Sequence, residues 1–254
     1  MILKSNYHTH TYRCKHAGGQ DRDYVEAAIA AGITTLGFSD HSPMVFNTDH
    51  KSGFRMDLEE TAGYFESLLA LREEYRDVIR ILIGVEVEYY PACWEKYLAF
   101  MRQFPLDFKI LGQHFVYDEE NGGPGSFKAT EDPTVLSDYY RCVLEAADTG
   151  ELLYIAHPDV IHYVGDTAAF DELTRDFLQK IKKTGLPLEI NRLGVHEGRH
   201  YPNPRFWDLV AEADVPAIVG LDAHSPKVFE DDEGAAACVE IAKSRGIRLL
   251  ETLI

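Results

Sequence analysis

Short apolar runs recur along this chain, and nearly every one ends on a histidine or an acidic residue. Residues 2–7, 35–39, 79–85, 108–112, 152–156, 188–190 and 217–221 have the length and β-branched content of strands, and stretches of helical spacing lie between them. Leu58, Ala62, Phe65 and Leu69 form one predicted helical stripe, and Phe170, Leu173, Phe177 and Ile181 form another. Gly32 and Gly185 stand where left-handed helix caps are expected, and Pro133 stands at a helix start, where its missing N–H costs nothing. Seven strand–helix units at roughly 36-residue spacing predict parallel strands with right-handed crossovers. Candidate ligands follow at least six of the seven strands. An open sheet gathers its site at one switch point, whereas a closed barrel converges all its strand ends on one mouth. The expected fold is therefore α/β: one domain over residues 1–254, a distorted (β/α)7 barrel with a metal site at the C-terminal ends of the strands.

Of the eleven histidines, seven occupy those strand ends: His8, His10, His16, His41, His114, His157 and His224. Asp40 and Asp222 accompany them. Imidazole and carboxylate are the donors used by divalent zinc, manganese and iron. Residues two apart on a strand face the same side, so His8 and His10 can share the barrel mouth, as can Asp222 and His224. A lone histidine is more often structural, but two such pairs at opposite ends of a chain argue for one polynuclear site. The four cysteines, Cys14, Cys93, Cys142 and Cys238, show no Cys-x-x-Cys spacing, which argues against a disulfide framework or a thiolate zinc site. Cys14, between His10 and His16, reads as a small turn residue rather than a ligand.

A formal net charge of −17 argues against nucleic acid as a partner, because binding a phosphate backbone needs a basic face. A small phosphorylated molecule stays compatible, since a metal cluster can reverse the sign of the local field. No apolar run reaches membrane-spanning length and no leader is evident, so the expectation is a cytoplasmic enzyme with no membrane partner, its oligomeric state left open. Residues 42–57 and 115–131 are long connections on the predicted mouth side. The second carries Asn121-Gly-Gly-Pro-Gly125 and reads as a mobile loop, either a cover over substrate or a solvated excursion.

The segments His8-Thr-His-Thr-Tyr-Arg-Cys-Lys-His16 and Gly37-Phe-Ser-Asp-His41-Ser-Pro43, followed by Gly84-Val-Glu86, Gly112-Gln-His114, Ala156-His157-Pro-Asp159, Glu189-Ile-Asn191 and Asp222-Ala-His224, carry a resemblance. Together they resemble the polymerase-and-histidinol-phosphatase (PHP) superfamily and, within it, histidinol-phosphate phosphatases of the HisJ/HisK type. The resemblance implies a distorted seven-stranded barrel and three divalent ions (zinc, manganese or iron). Carried over by position, His8, His10, Glu86 and Asp222 hold the first ion. Glu86 bridges to a second, shared with His114 and His157, and His16, His41 and His224 hold the third. Glu88 competes for the bridging role, being two residues from Glu86 on one strand, and is otherwise expected either to stand behind a metal ligand or to face substrate. Asp40 either orients an imidazole or caps a strand end.

The implied reaction is hydrolysis of a phosphomonoester, with metal ions neutralising the dianion and activating water. Asp159 is the candidate proton donor to the leaving group, with a purely structural carboxylate as the alternative. Arg199 is the expected phosphate-binding arginine, with Arg192, His162 and, more weakly, Arg55 as alternatives; His162 stands where the phosphatases often carry a basic residue. Asn191 is a further candidate, either for contact with substrate or for support behind the metal ligands. The cationic end of histidinol phosphate calls for an acidic mouth, which Glu88, Asp118 or Glu119 would supply. Two alternatives stay open: a related enzyme acting on another small phosphomonoester such as a nucleotide, and a non-catalytic metalloprotein.

Overall fold

The computed structural model describes residues 3–116 and 118–254, so Ile2, the first residue of the first predicted strand, lies outside them. The strands are β1 (Ser5–Asn6), β2 (Thr35–Phe38), β3 (Arg80–Val87), β4 (Phe108–Leu111), β5 (Tyr154–Ile155), β6 (Leu188–Asn191), β7 (Ala217–Gly220) and β8 (Leu249–Leu250). They pair in chain order and every pairing is parallel. The seven predicted units are thus present, with a two-residue eighth strand added beside β7.

The sheet nearly closes on itself. Beyond β1 the chain stays extended and pairs with the segment after β7: His10 N–H donates to the Ala223 carbonyl at 3.0 Å and Ala223 N–H to the His8 carbonyl at 3.1 Å. The Asn6 amide reinforces this seam, accepting from Leu221 N–H at 2.9 Å and donating to the Thr9 hydroxyl at 2.8 Å. At the opposite end of the barrel the Tyr7 hydroxyl accepts from Leu253 N–H at 2.9 Å.

Strands covered on both faces read as continuous apolar runs, and β3 does so from Ile81 to Val85. Alternation still decides which way each residue points. Tyr7, Leu82, Phe108, Ile110, Tyr154, Ala156 and Ile218 fill the barrel interior, while Ile83, Val85, Ile190 and Val219 pack outward against the helices. The inward rows continue upward as Leu82, Gly84, Glu86 on β3, Glu189, Asn191 on β6, and Ile218, Gly220, Asp222 past β7. Polar residues therefore replace apolar ones where the rows reach the mouth.

The helices obey ordinary start and stop signals. Pro133 opens the helix α3 (Pro133–Asp148) with Asp132 accepting from Thr134 N–H at 2.9 Å. Gly185 closes α4 (Thr167–Thr184), and Gly32 follows α1 (Asp21–Ala30), both with positive φ. In α4 the predicted stripe buries Phe170, Phe177 and Ile181. In α2 (Thr61–Glu74) the buried face is instead Thr61, Tyr64, Phe65, Leu68 and Leu71, with Leu58 and Leu69 exposed. Tyr64 accounts for the rotation: its ring is buried and its hydroxyl donates to the Gly84 carbonyl at 2.7 Å, which turns the helix about its axis. Among the described residues no helix is long and apolar enough to cross a membrane.

Candidate metal centre

Glu86 lies at the centre of the mouth. Its Oε1 is 2.9 Å from His157 Nε2 and 3.5 Å from His8 Nε2, and its Oε2 is 2.8 Å from His41 Nδ1 and 3.6 Å from His10 Nε2. His114 Nε2 is farther, at 4.0 Å. Asp222 Oδ1 lies 3.1 Å from His10 Nε2, 3.5 Å from His8 Nε2 and 3.3 Å from His224 Nδ1. His16 and His224 face each other, Nε2 to Nε2, at 3.0 Å. All nine sequence-predicted metal-ligand candidates converge here.

The donor set has the chemistry of a cation site. Glu86 Oε2, Asp222 Oδ1 and His157 Nδ1 are buried without a hydrogen-bond partner, an arrangement a protein core rarely tolerates. The Nε2 atoms of His8 and His10 are 3.1 Å apart, a spacing that two donors on one small divalent ion share (about 3.4 Å for tetrahedral bonds of about 2.1 Å). Three clusters fall out of the geometry: His8, His10 and Asp222; His8, Glu86 and His157; and His16, His41 and His224, with donor atoms within 4.8 Å in each. His10, His41 and Glu86 form an overlapping fourth, and His10, Cys14 and His224 a fifth. Burial opposes a charged imidazole, yet Glu189, Asp222 and Glu86 push His8 up to about 10. At the rim the sign reverses: burial and the His10 ring drive His224 down to about 3, against Asp222. Carboxylate charge at the floor and crowded imidazoles above it are both relieved by a bound cation. Divalent ions fit these residues.

Backbone strain marks the same place. His157 and Asp222 both adopt positive φ, at 28° and 50°, a conformation that L-residues other than glycine rarely hold. Asp222 and His224 thus lie past the regular strand, with Asp222 in the left-handed region and its Oδ1 3.3 Å from His224 Nδ1.

Glu189 is the residue that sequence reasoning missed. Fully buried, it takes the other nitrogen of His8: Nδ1 lies 2.8 and 3.1 Å from its two oxygens. That partner leaves Nε2 to face the cluster, the usual way a carboxylate fixes an imidazole's orientation. The signal was the inward register of Glu189 with Asn191, two positions on. Small residues make room for the carboxylates, since a Cβ on Gly112 would overlap Glu86 and one on Gly220 would overlap Glu189. Asn191 is a support rather than a wall of the site, donating to Glu189 at 2.7 Å and to Asp222 at 3.1 Å. Asp40 plays both expected roles, lying 3.4 Å from His10 Nδ1 and accepting from His41 N–H at 2.9 Å.

Above the cluster opens a cleft of about 500 Å³, walled by Phe54 from the first long connection, Phe115 and Phe127 from the second, and Leu193, Glu197, Arg199 and Tyr201 after β6. Arg199 reaches this wall, with its guanidinium 2.6 Å from both Glu197 Oε2 and the Tyr201 hydroxyl. Other expected contacts lie elsewhere. Arg192 is buried against Asp231, its Nε donating at 2.7 Å, because Asp231 caps the helix packed behind it. His162 stacks flat on His200 with ring centres 4.0 Å apart. Asp159 directs Oδ2 at Asn203 N–H and the Trp207 indole, at 2.6 and 3.0 Å, and burial pushes its carboxyl up to about 6. It forms no part of the cleft wall, so proton donation from Asp159 to a leaving group does not follow from its position.

The acidic mouth also needs correcting. Arg55 is neither exposed nor free for phosphate. It is buried between Glu88 and Glu119, while Asp118 is occupied by Asn121 N–H at 2.7 Å. Glu88 forms no part of the cleft wall; burial alone would raise its carboxyl, but Arg55 and His114 bring it to about 2. Besides Glu86 and Asp222, the carboxylate on the cleft wall is Glu197.

Comparison with known proteins agrees with this architecture. The PHP domain model matches residues 6–193, and the chain belongs to that family. A Deinococcus radiodurans protein named "probable histidinol-phosphatase" is 28% identical over 224 residues, covering 86% of this chain and 85% of the relative. HisK of Listeria monocytogenes superposes with a TM-score of 0.75 at 20% identity, covering 92% of this chain and 99% of that one. HisK of Lactococcus lactis, solved with zinc, L-histidinol and phosphate, gives 0.71 at 23% identity, covering 97% and 95%.

Proposed function

We propose that this chain is a metal-dependent phosphomonoesterase that hydrolyses L-histidinol phosphate to L-histidinol and phosphate, a step of histidine biosynthesis carried out in the cytoplasm. One observation carries the reading. Seven histidines, Glu86 and Asp222 converge beneath a cleft whose wall presents an arginine. In this proposal His8, His10, Glu86 and Asp222 hold one of three zinc, manganese or iron ions. Glu86, His114 and His157 hold a second, and His16, His41 and His224 hold the third. Such ions neutralise a phosphate dianion and acidify water toward neutral pH.

The chain's own residues do the rest. Glu189 and Asp40 fix the tautomers and directions of His8 and His10, so the donor nitrogens are set before anything binds. Asn191 holds Asp222 and Glu189 in one network. Arg199 offers a planar fork of donors to phosphate oxygens, the geometry suited to a tetrahedral dianion. Phe54, Phe115 and Phe127 close the cleft with apolar surface and limit the water beside the reacting phosphorus.

The test is a phosphomonoester panel run alongside metal analysis. L-histidinol phosphate is expected to exceed p-nitrophenyl phosphate and AMP by at least about a hundredfold in kcat/KM, the discrimination a site gains by pairing polar groups that an analogue lacks. Preference for AMP or another ester would overturn the substrate and leave the reaction class standing. Inactivity on the whole panel in metal-replete protein would sink both.

A further inference from the structure

We propose that Arg55 is a positioning residue that locks the two mouth connections together and, through Glu88, sets the direction of His114. The inference rests on the reading of His114 as a metal donor.

Arg55 belongs to the first long connection, yet its side chain is about as buried as the core tyrosines. Its Nε and Nη2 donate to Glu119 Oε2 at 3.0 and 2.7 Å, Nη2 also meets Glu88 Oε2, and Nη1 donates to the Ser42 carbonyl at 3.2 Å. Glu119 belongs to the second connection and Glu88 to the end of β3, so one guanidinium joins three segments of the mouth. The two connections are stitched further at the surface, where Glu120 accepts from Asn47 N–H, Thr48 N–H and the Thr48 hydroxyl, and His50 lies 3.0 Å from Glu119.

The far end of this chain of contacts is His114. Glu88 Oε1 accepts from His114 N–H at 2.6 Å and lies 3.3 Å from its Nδ1, while Tyr90 donates to Oε2 at 2.7 Å. His114 Nε2 lies 4.0 Å from Glu86 Oε1, and Glu88 stands behind the ring's other nitrogen. Phe54, next in sequence to Arg55, lies beneath the guanidinium and edges onto His41 and His114 in the cleft wall. Removing the arginine leaves two buried carboxylates facing each other without a cation, which forces Glu88, and with it His114, to move.

The experiment titrates zinc against a competing chelator on full-length protein carrying Arg55→Met, Arg55→Lys, Glu88→Gln or Glu119→Gln. The visible spectra of cobalt-loaded samples are recorded as a measure of ligand geometry. No substrate is involved, so the outcome is separate from whether L-histidinol phosphate is hydrolysed. Arg55→Met and Glu88→Gln should weaken the weakest-bound zinc roughly tenfold or more, the usual effect of losing a carboxylate behind a ligand histidine. Both should alter the cobalt spectrum. Arg55→Lys, which cannot fork across two carboxylates, should fall between them and the parent. Glu119→Gln should leave zinc affinity within about twofold and the cobalt spectrum unchanged, because only the cover is loosened. If Arg55→Met does not fold, Glu88→Gln and Arg55→Lys carry the same prediction. Parent-like zinc affinity in Glu88→Gln, or equal loss in Glu119→Gln, would overturn the proposal.

Discussion

Replacing Arg199 by alanine should raise KM for the phosphomonoester about tenfold and leave the metal content intact. A hydrogen bond to a charged group contributes about 1.5–3 kcal/mol. Arg199 sits at the low end of that range because it is not idle before substrate arrives. Glu197 and Tyr201 already engage it, each at 2.6 Å, and its side chain is 30% exposed, so phosphate exchanges one set of partners for another. A net difference of about 1.4 kcal/mol is a factor of ten. Alanine at 199 also leaves the Glu197 carboxylate unpaired beside the incoming dianion, so part of the loss is repulsion. The double variant Arg199→Ala with Glu197→Gln should therefore recover a few-fold in KM, a coupling expected of contacting residues. Steady-state kinetics on metal-replete protein, with metal measured on the same samples, decide the matter. An unchanged KM for Arg199→Ala would show that the arginine does not meet phosphate. A double variant no better than the single would refute the role given to Glu197.

Glu189→Gln should weaken metal binding about tenfold by removing the charge behind His8, measured by chelator competition; affinity within twofold of the parent would mean that the contact is incidental. Chelation should abolish activity, and added zinc or manganese should restore it; activity that survives complete metal removal would contradict the proposed chemistry. Metal at a hundred times its dissociation constant should stabilise the fold by about 2.7 kcal/mol, which for a domain of this size raises Tm by about 5–10 °C in calorimetry. Gly112→Ala should cost roughly 1–3 kcal/mol and displace Glu86, because the new methyl group meets that carboxylate; parent-like stability and activity would show that the barrel floor can relax.

The architecture was legible because strands covered on both faces write themselves as apolar runs, and because the barrel mouth demands a polar residue where each run stops. His8, His10, His41, Glu86, His157 and Asp222 are visible for that reason. What stayed hidden depends on partners brought from elsewhere in the chain. Arg55 and Glu119 look like loop charges until the fold buries them against each other and against Glu88. Arg192 and Arg199 sit in the same segment, and only the position of Asp231 sends one away from the cleft. Glu189 reads as one more strand residue, since alternation assigns it a side but not a neighbour. The eighth strand is two residues long and carries no pattern.

The seam between the first strand and the segment after the seventh has a consequence for how metal and folding are linked. His8 and His10 arrive on one edge of that seam and Asp222 and His224 on the other, joined by the Thr9–Ala223 bridge. The centre is thus assembled from segments far apart in the sequence, and one ion finds its full set of donors only when that seam has formed. Affinity for metal is then a measure of whether the ring has shut. A substitution far from any donor, such as one that strips Asn6 of its amide, should register as demetallation even though every ligand is still in the sequence.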